Sequence, residues 1–247
     1  MRNNKILFNL YQVYKYIVYL PFLAISTTVC GIVAAVLAIA VHPKIGTVMG
    51  IIWARLNAYM TPMFVKVIGK KNIDKNQSYI IISNHQSQFD IFLLYGWIPV
   101  DFKWVMKIEL RQIPFLGYSC YKIGHVFIDR SNSQAAIDSI NEAKKSITGG
   151  TSIIFFPEGH RSSDGRLLEF KKGAFKFALD MNLPLLPVTI IGTKDVLPSN
   201  TMALFPGKAK LIIHPPIEVT GYNEDNIQVL MDKARDSIQK GFDEHHS

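Results

Sequence analysis

The first 73 residues contain no aspartate or glutamate. They do contain eight basic residues: Arg2, Lys5, Lys15, Lys44, Arg55, Lys66, Lys70 and Lys71. The rest of the chain balances its charges, so the whole net charge of +8 belongs to this one segment. A nucleic-acid binder would carry its basic excess on the globular part; here the excess flanks apolar runs, which suits anionic lipid headgroups instead. Cysteine is scarce as well. Cys30 and Cys120 are the only two, far apart in the chain, so neither a disulfide framework nor a zinc site is expected, and a reducing compartment is the default. Internal repeats, low-complexity tracts and a second globular domain are also missing.

What the segment has is apolar length. Tyr16 to Val41 carries no charge. As a helix it spans about 39 Å, against a hydrocarbon core of roughly 30 Å. It is too long for a signal peptide, and no small-residue cleavage site follows it. His42-Pro43 should break it. A second run, Ile45 to Val67, has apolar residues at helical spacing, with Arg55 and Asn57 near its middle. A mid-helix arginine makes full spanning costly. If the first helix alone crossed, Arg2, Lys5 and Lys15 would lie opposite a cytoplasmic catalytic part, against the positive-inside tendency. Two crossings or a shallow hairpin both satisfy that tendency, and Arg55 favours the hairpin. A buried helical pair in a soluble protein is the remaining reading, though such helices usually show a charged face. The expected boundary sets residues 1–71 apart as a two-helix membrane-docking segment and gives 72–247 to a catalytic domain at the cytoplasmic side of the cell membrane.

From Asn72 onward, strand-like and helix-like stretches alternate. The strand-like runs are Tyr79–Ile82, Phe102–Met106, Val126–Ile128, Ser152–Phe156, Leu185–Ile191 and Ala209–His214. Helical stretches are Phe89–Ile98, Ser133–Ile147, Gly173–Met181 and Glu224–Phe242. The pattern predicts an α/β domain with a largely parallel, mixed central sheet flanked by helices. Ser133 is the expected cap of its helix and Gly149-Gly150 the expected stop. Ligands of such sheets gather at the carboxyl ends of strands, where the polar clusters of this chain fall.

The first cluster is Ser83-Asn84-His85-Gln86-Ser87-Gln88-Phe89-Asp90, between a strand and a helix. An imidazole there can take a proton from an alcohol, and a carboxylate can fix its tautomer. On one regular helix His85 and Asp90 would point about 140° apart, so they meet only if His85 lies in the preceding turn. A helix cap with an unrelated histidine fits the same spacing. Asp129-Arg130 follows the third strand-like run, and Pro157-Glu158-Gly159-His160-Arg161 the fourth. Arginine presents a planar fork suited to phosphate, and Gly159 lets backbone approach a ligand. Taken singly, each also fits a strand-end salt bridge. No covalent nucleophile is signalled: Gly117-Tyr118-Ser119-Cys120-Tyr121 lacks the second glycine of a nucleophile elbow.

Together these segments resemble the glycerolipid acyltransferases, most of all the bacterial 1-acyl-sn-glycerol-3-phosphate (lysophosphatidic acid) acyltransferase type. Asn84 to Asp90, with its His-four-residues-Asp spacing, looks like the family's first block. Gly124 to Arg130 is similar to the second, Phe156 to Ser162 to the third, and Leu186-Pro187-Val188-Thr189-Ile190 to the fourth. Lys107-Ile108-Glu109-Leu110, with Ile113-Pro114-Phe115 and Gly117, also looks like a family segment. His160 stands where the family usually has threonine. The resemblance implies a glycerol-3-phosphate acyltransferase-like fold and acyl transfer from acyl-ACP or acyl-CoA to lysophosphatidic acid, giving phosphatidic acid. It implies His85 as general base and Asp90 as its holder. Arg130, Glu158, Gly159 and Arg161 would surround the glycerol phosphate, and Lys107 would help with the phosphate or the oxyanion. No metal and no cofactor beyond the thioester co-substrate is implied, and the partners would be a phospholipid membrane and the acyl carrier. Glycerol 3-phosphate or another lysophospholipid as acceptor, or a lipid-phosphate binder without chemistry, are the competing readings.

Overall fold

A computed structural model describes residues 4–129, 131–162 and 164–245. One long apolar helix opens the chain, Lys5–Ala40. It comprises α1 (Lys5–Tyr14), a π-helical turn at Lys15–Tyr19, and α2 (Leu20–Ala40). His42 and Pro43 stop it, as expected. His42 takes extended backbone, and its Nδ1 accepts the Lys44 N–H to cap α3 (Pro43–Met60).

The second helix is shorter than the sequence pattern predicts. It ends at Met60, just before Thr61-Pro62, and Met63–Ile68 forms strand β1 instead. The residue before a proline is turned away from helical backbone, and β-branched Val65 and Val67 suit a strand. The expected boundary at residue 71 is therefore corrected. β1 is an edge strand of the main sheet, and the helical segment gives way to the sheet domain between Met60 and Met63.

The remaining elements are β2 (Ile80–Ser83), α4 (Asp90–Trp97), β3 (Phe102–Lys107), α5 (Leu116–Lys122), β4 (Val126–Ile128), α6 (Ser133–Ala143), β5 (Ser152–Phe155), α7 (Gly173–Met181), β6 (Leu185–Ile191), α8 (Thr193–Val196), β7 (Gly207–Ile213) and α9 (Ile227–His245). Helix α6 is capped by Asn132, whose Oδ1 accepts the Ala135 N–H, rather than by Ser133. The helix also stops short of Gly149-Gly150, at Ala143, followed by a 3-10 turn.

The seven strands lie in the order β1-β7-β6-β2-β5-β3-β4. Every pairing is parallel except β6 with β7. This is the mixed, mainly parallel sheet the alternation predicts. Central strand β2 is wholly buried because helices cover both faces. Its side chains alternate between two cores: Ile81 joins the one that includes Tyr19, Ala54 and Ala58 of the N-terminal helices, and Ile80 and Ile82 join the one under α7 and α9.

The N-terminal helices are therefore packed into the domain. Helix α2 lies on α5 and α3 on α4. Arg55 is exposed but tied to the domain: its Nε–H donates to the Gly96 carbonyl at 2.7 Å, near the negative end of α4. Small residues allow close approach. A side chain at Gly46 would begin 2.7 Å from the Ala34 carbonyl oxygen and 2.7 Å from Ile123. Gly46→Val should accordingly separate α2 from α3 and lower stability by about 1–3 kcal/mol, read as a lower Tm in detergent. An unchanged Tm would mean that these helices are not tightly packed.

Candidate active site

His85 lies in the turn between β2 and α4, not on the helix, and so reaches Asp90. Its Nδ1 is 2.7 Å from Asp90 Oδ2. The same oxygen accepts the backbone N–H of Gln86 at 2.7 Å and of Ser87 at 3.0 Å. Asp90 is 0% exposed and is the first residue of α4, where the helix dipole favours negative charge. A carboxylate accepting these bonds requires Nδ1 to carry the proton. Nε2 is then the ring's proton acceptor.

The turn is fastened at almost every residue. The Asn84 side chain donates to the Ile190 carbonyl at 3.0 Å and accepts the Ile190 N–H at 2.7 Å. Ser87 Oγ donates to the Leu197 carbonyl at 2.7 Å, and Ser199 Oγ to the Gln86 carbonyl at 2.9 Å. The backbone of His85 donates to Glu158 Oε1 at 2.7 Å and accepts the Ser162 N–H at 2.9 Å. The imidazole stacks on Phe156, with centroids 4.0 Å apart and planes 14° apart. Ring position, tilt and tautomer are all set before any substrate arrives.

The other sequence-nominated residues fall in three places. Gly159 and Arg161, on the turn after β5, line the same cavity as His85, and Lys107, at the end of β3, lines it too. Neither Arg161 nor Lys107 has an acidic partner among the described residues. Glu158 is elsewhere. It is 1% exposed, with Oε1 on the His85 N–H and Oε2 on the Leu168 N–H at 3.0 Å. Burial pushes its carboxyl above the usual range, against the pull of those two bonds. Both oxygens are thus engaged in holding the turns that carry His85 and Leu168. Arg130 lies outside the described residues. Its neighbour Asp129 is half-buried and accepts both the N–H and the hydroxyl of Ser131.

The cavity holds about 580 Å³, within the range of small-molecule sites. His85, Phe156 and Arg161 line it, and its walls are otherwise mainly apolar. Thr27, Cys30, Gly31 and Ala34 of α2 form one side, Trp104 to Met106 of β3 another, and Leu116 and Ile123 flank α5. The N-terminal helices are a wall of this chamber as well as a flanking layer, and sequence patterning alone gave no sign of that. The small residues of α2 are the signal that could have found it.

Among the lining groups, His125 and Cys120 are buried. Burial pushes the Cys120 thiol up to about 12, so it offers no ready thiolate. His125 Nδ1 accepts the Trp104 N–H at 3.3 Å, and Nε2 is 3.3 Å from the Tyr95 hydroxyl. Burial, helped by the Lys103 ammonium, holds this imidazole down at about 3 against an ordinary 6.5. In the folded protein it stays neutral where the unfolded chain binds a proton. Its contribution to stability is complete above about 6.5 and drains away as the pH falls toward about 3, at up to about 1.4 kcal/mol per pH unit. His125→Gln should lower Tm at neutral pH and flatten the acid limb of the Tm–pH curve relative to the parent. Parallel curves would contradict a neutral, buried His125.

Comparison with known proteins bears on what this arrangement is for. The sequence model of the family described as "Acyltransferase" matches residues 64–191. The chain is 35% identical over 182 residues to the 1-acyl-sn-glycerol-3-phosphate acyltransferase of Saccharomyces cerevisiae, covering 72% of this chain and 60% of that one. It is 32% identical over 195 residues to the chloroplastic 1-acyl-sn-glycerol-3-phosphate acyltransferase of Arabidopsis thaliana, covering 78% of this chain. This chain spans about half, 52%, of that plant relative's length. The crystal structure of the 1-acyl-sn-glycerophosphate (LPA) acyltransferase from Thermotoga maritima has the same fold, with a TM-score of 0.79 and 28% identity over 98% of this chain and 96% of that one.

Proposed function

This chain belongs to the acyltransferase family, and we propose that it transfers an acyl chain from a thioester to the sn-2 hydroxyl of lysophosphatidic acid, forming phosphatidic acid for phospholipid biosynthesis. The observation that carries this reading is the His85–Asp90 couple, whose ring lines an apolar cavity together with two cations that lack acidic partners among the described residues, Arg161 and Lys107. Relatives named for the same reaction support it.

In this reading Nε2 of His85 takes the proton of the acceptor hydroxyl as its oxygen attacks the thioester carbonyl. Asp90 steadies the imidazolium that forms. The tetrahedral intermediate collapses: the new ester C–O bond is kept, the C–S bond breaks, and the thiolate leaves. The imidazolium proton passes to that sulfur, which regenerates the neutral ring. Acyl carrier protein or coenzyme A serves as the carrier, and no further cofactor takes part. Arg161 and Lys107 hold the phosphate end of the acceptor, with Lys107 also placed to meet the oxyanion. Gly159, at φ +77°, turns the chain toward Arg161. Glu158 acts through His85, by fixing its backbone.

The cavity takes an acyl chain. Ala34→Leu should shorten the preferred donor, seen as a shift in relative kcat across a series of chain lengths. An unshifted profile would move the chain out of this chamber.

The outer faces of the N-terminal helices enter lipid. Ile25, Val29, Ile32, Val36 and Ile39 of α2 and Val48 and Ile52 of α3 are exposed, too large an apolar surface to face water. Because α2 and α3 are also fastened along the catalytic domain, a hairpin that enters one leaflet and returns fits better than two crossings. The basic excess of the segment draws this face to anionic lipid and, by the positive-inside tendency, sets it on the cytoplasmic side.

His85→Ala should abolish transfer, and Asp90→Asn should lower kcat by about 10²–10⁴-fold, with vesicle binding unchanged in both. Turnover retained by His85→Ala would remove it from the mechanism. In competition with glycerol 3-phosphate and other lysophospholipids, lysophosphatidic acid should be the acceptor consumed; preference for either competitor would overturn the assignment.

A further inference from the structure

Gly159 sits at φ +77°, backbone that side chains rarely tolerate. The space its side chain would fill is not empty. A Cβ built there would lie 2.9 Å from Nζ of Lys171, 3.0 Å from its Cε and 3.4 Å from its Cδ. Three successive atoms of the lysine therefore lie along the bare face of this residue, and the ammonium is the nearest of them. Residue 171 is tied to the same turn from the backbone side, since its N–H donates to the Pro157 carbonyl at 2.9 Å. A lysine about a dozen positions downstream thus crosses the turn that carries Arg161 at its glycine.

Lys103, Lys144, Lys145, Lys176 and Lys240 each have a carboxylate within 4 Å. No such partner lies beside Lys171 among the described residues. Arg161, two positions beyond Gly159, and Lys107 are likewise without an acid. The one carboxylate on this turn, Glu158, has both oxygens engaged by the His85 and Leu168 N–H groups, which leaves the cations to a dianion from outside the chain. On the reading that the acceptor is a phosphate monoester, we propose that Lys171 is a further acceptor-binding residue, whose ammonium holds the phosphate from the Gly159 side while the Arg161 fork holds it from the other. Gly159 is glycine for two reasons: its backbone angle, and the passage of this lysine. Nothing in the sequence pattern marks Lys171, because Lys171-Lys172-Gly173 reads as the solvated start of a helix.

The test compares lysophosphatidic acid with 1-monoacylglycerol, which is the same acceptor without its phosphate, for the parent, Lys171→Met and Lys171→Arg. Lys171→Met should raise KM for lysophosphatidic acid by about ten- to a hundredfold, the loss of one charge-assisted hydrogen bond. Its kcat should stay within about twofold, and its kcat/KM for monoacylglycerol should not change. Lys171→Arg should recover most of the affinity. Equal losses on both acceptors would make Lys171 a merely structural residue, and no change on either would remove it from the site; each result overturns the proposal. A parent enzyme that does not prefer lysophosphatidic acid over monoacylglycerol would sink the acceptor assignment and this inference with it. A parent that prefers lysophosphatidic acid, with a Lys171→Met that keeps the same preference, would sink this inference alone.

Discussion

One oxygen atom organises the active turn. Oδ2 of Asp90 receives three N–H groups, from the His85 ring and the Gln86 and Ser87 backbones, at 2.7, 2.7 and 3.0 Å. The carboxylate is 0% exposed, and no lysine or arginine pairs with it among the described residues. Cut off from water, that oxygen draws its hydrogen bonds from the ring and from backbone N–H groups at the start of α4. That arrangement fixes the turn: only a chain that doubles back through residues 85–87 can aim all three donors at one point. It fixes the chemistry too, because a ring that donates from Nδ1 can accept only at Nε2.

The surrounding structure protects that geometry from several directions. Glu158 holds the His85 N–H, Ser162 its carbonyl, and Phe156 the ring face. Ser87 and Ser199 reach across to and from the segment after α8, which ties the turn to residues 197–199. That segment is in turn held by the N-terminal helix. Gln12 donates to the Leu204 carbonyl at 2.9 Å, and Lys15 Nζ to the Met202 carbonyl at 2.7 Å. A path of hydrogen bonds and intervening backbone therefore runs from the apolar helix through residues 197–204 to the turn of the histidine. The helices serve three physical ends: a face for lipid, a wall for the cavity, and a brace for the reacting turn.

Local features of the sequence were the readable ones. Strand β2, the helix from Asp90 and the break at His42-Pro43 follow from short-range periodicity and proline geometry. The condition that His85 lie before the helix follows from the helical repeat, and the structure meets it. What depends on distant packing was hidden. Strand β1 looked like the tail of a helix because its partner β7 is far along the chain. Glu158 looked like a ligand for glycerol because nothing local shows that His85 and Leu168 would claim both of its oxygens. The cavity is assembled from helices and strands separated by up to a hundred residues or more, and the small residues of α2 become meaningful only once α5 is seen against them. Lys171 needed the bare face of Gly159 to acquire a role.

The central claim is that Asp90 holds the proton of the neutral His85 ring on Nδ1 and leaves Nε2 open to the substrate. Nitrogen NMR of histidine-labelled protein in detergent, with the signal assigned by comparison with His85→Ala and recorded at a pH where the ring is neutral, tests it directly. The account predicts a protonated Nδ1 and an unprotonated Nε2, with this preference lost in Asp90→Asn. A proton resident on Nε2, or the same tautomer in both proteins, would contradict it.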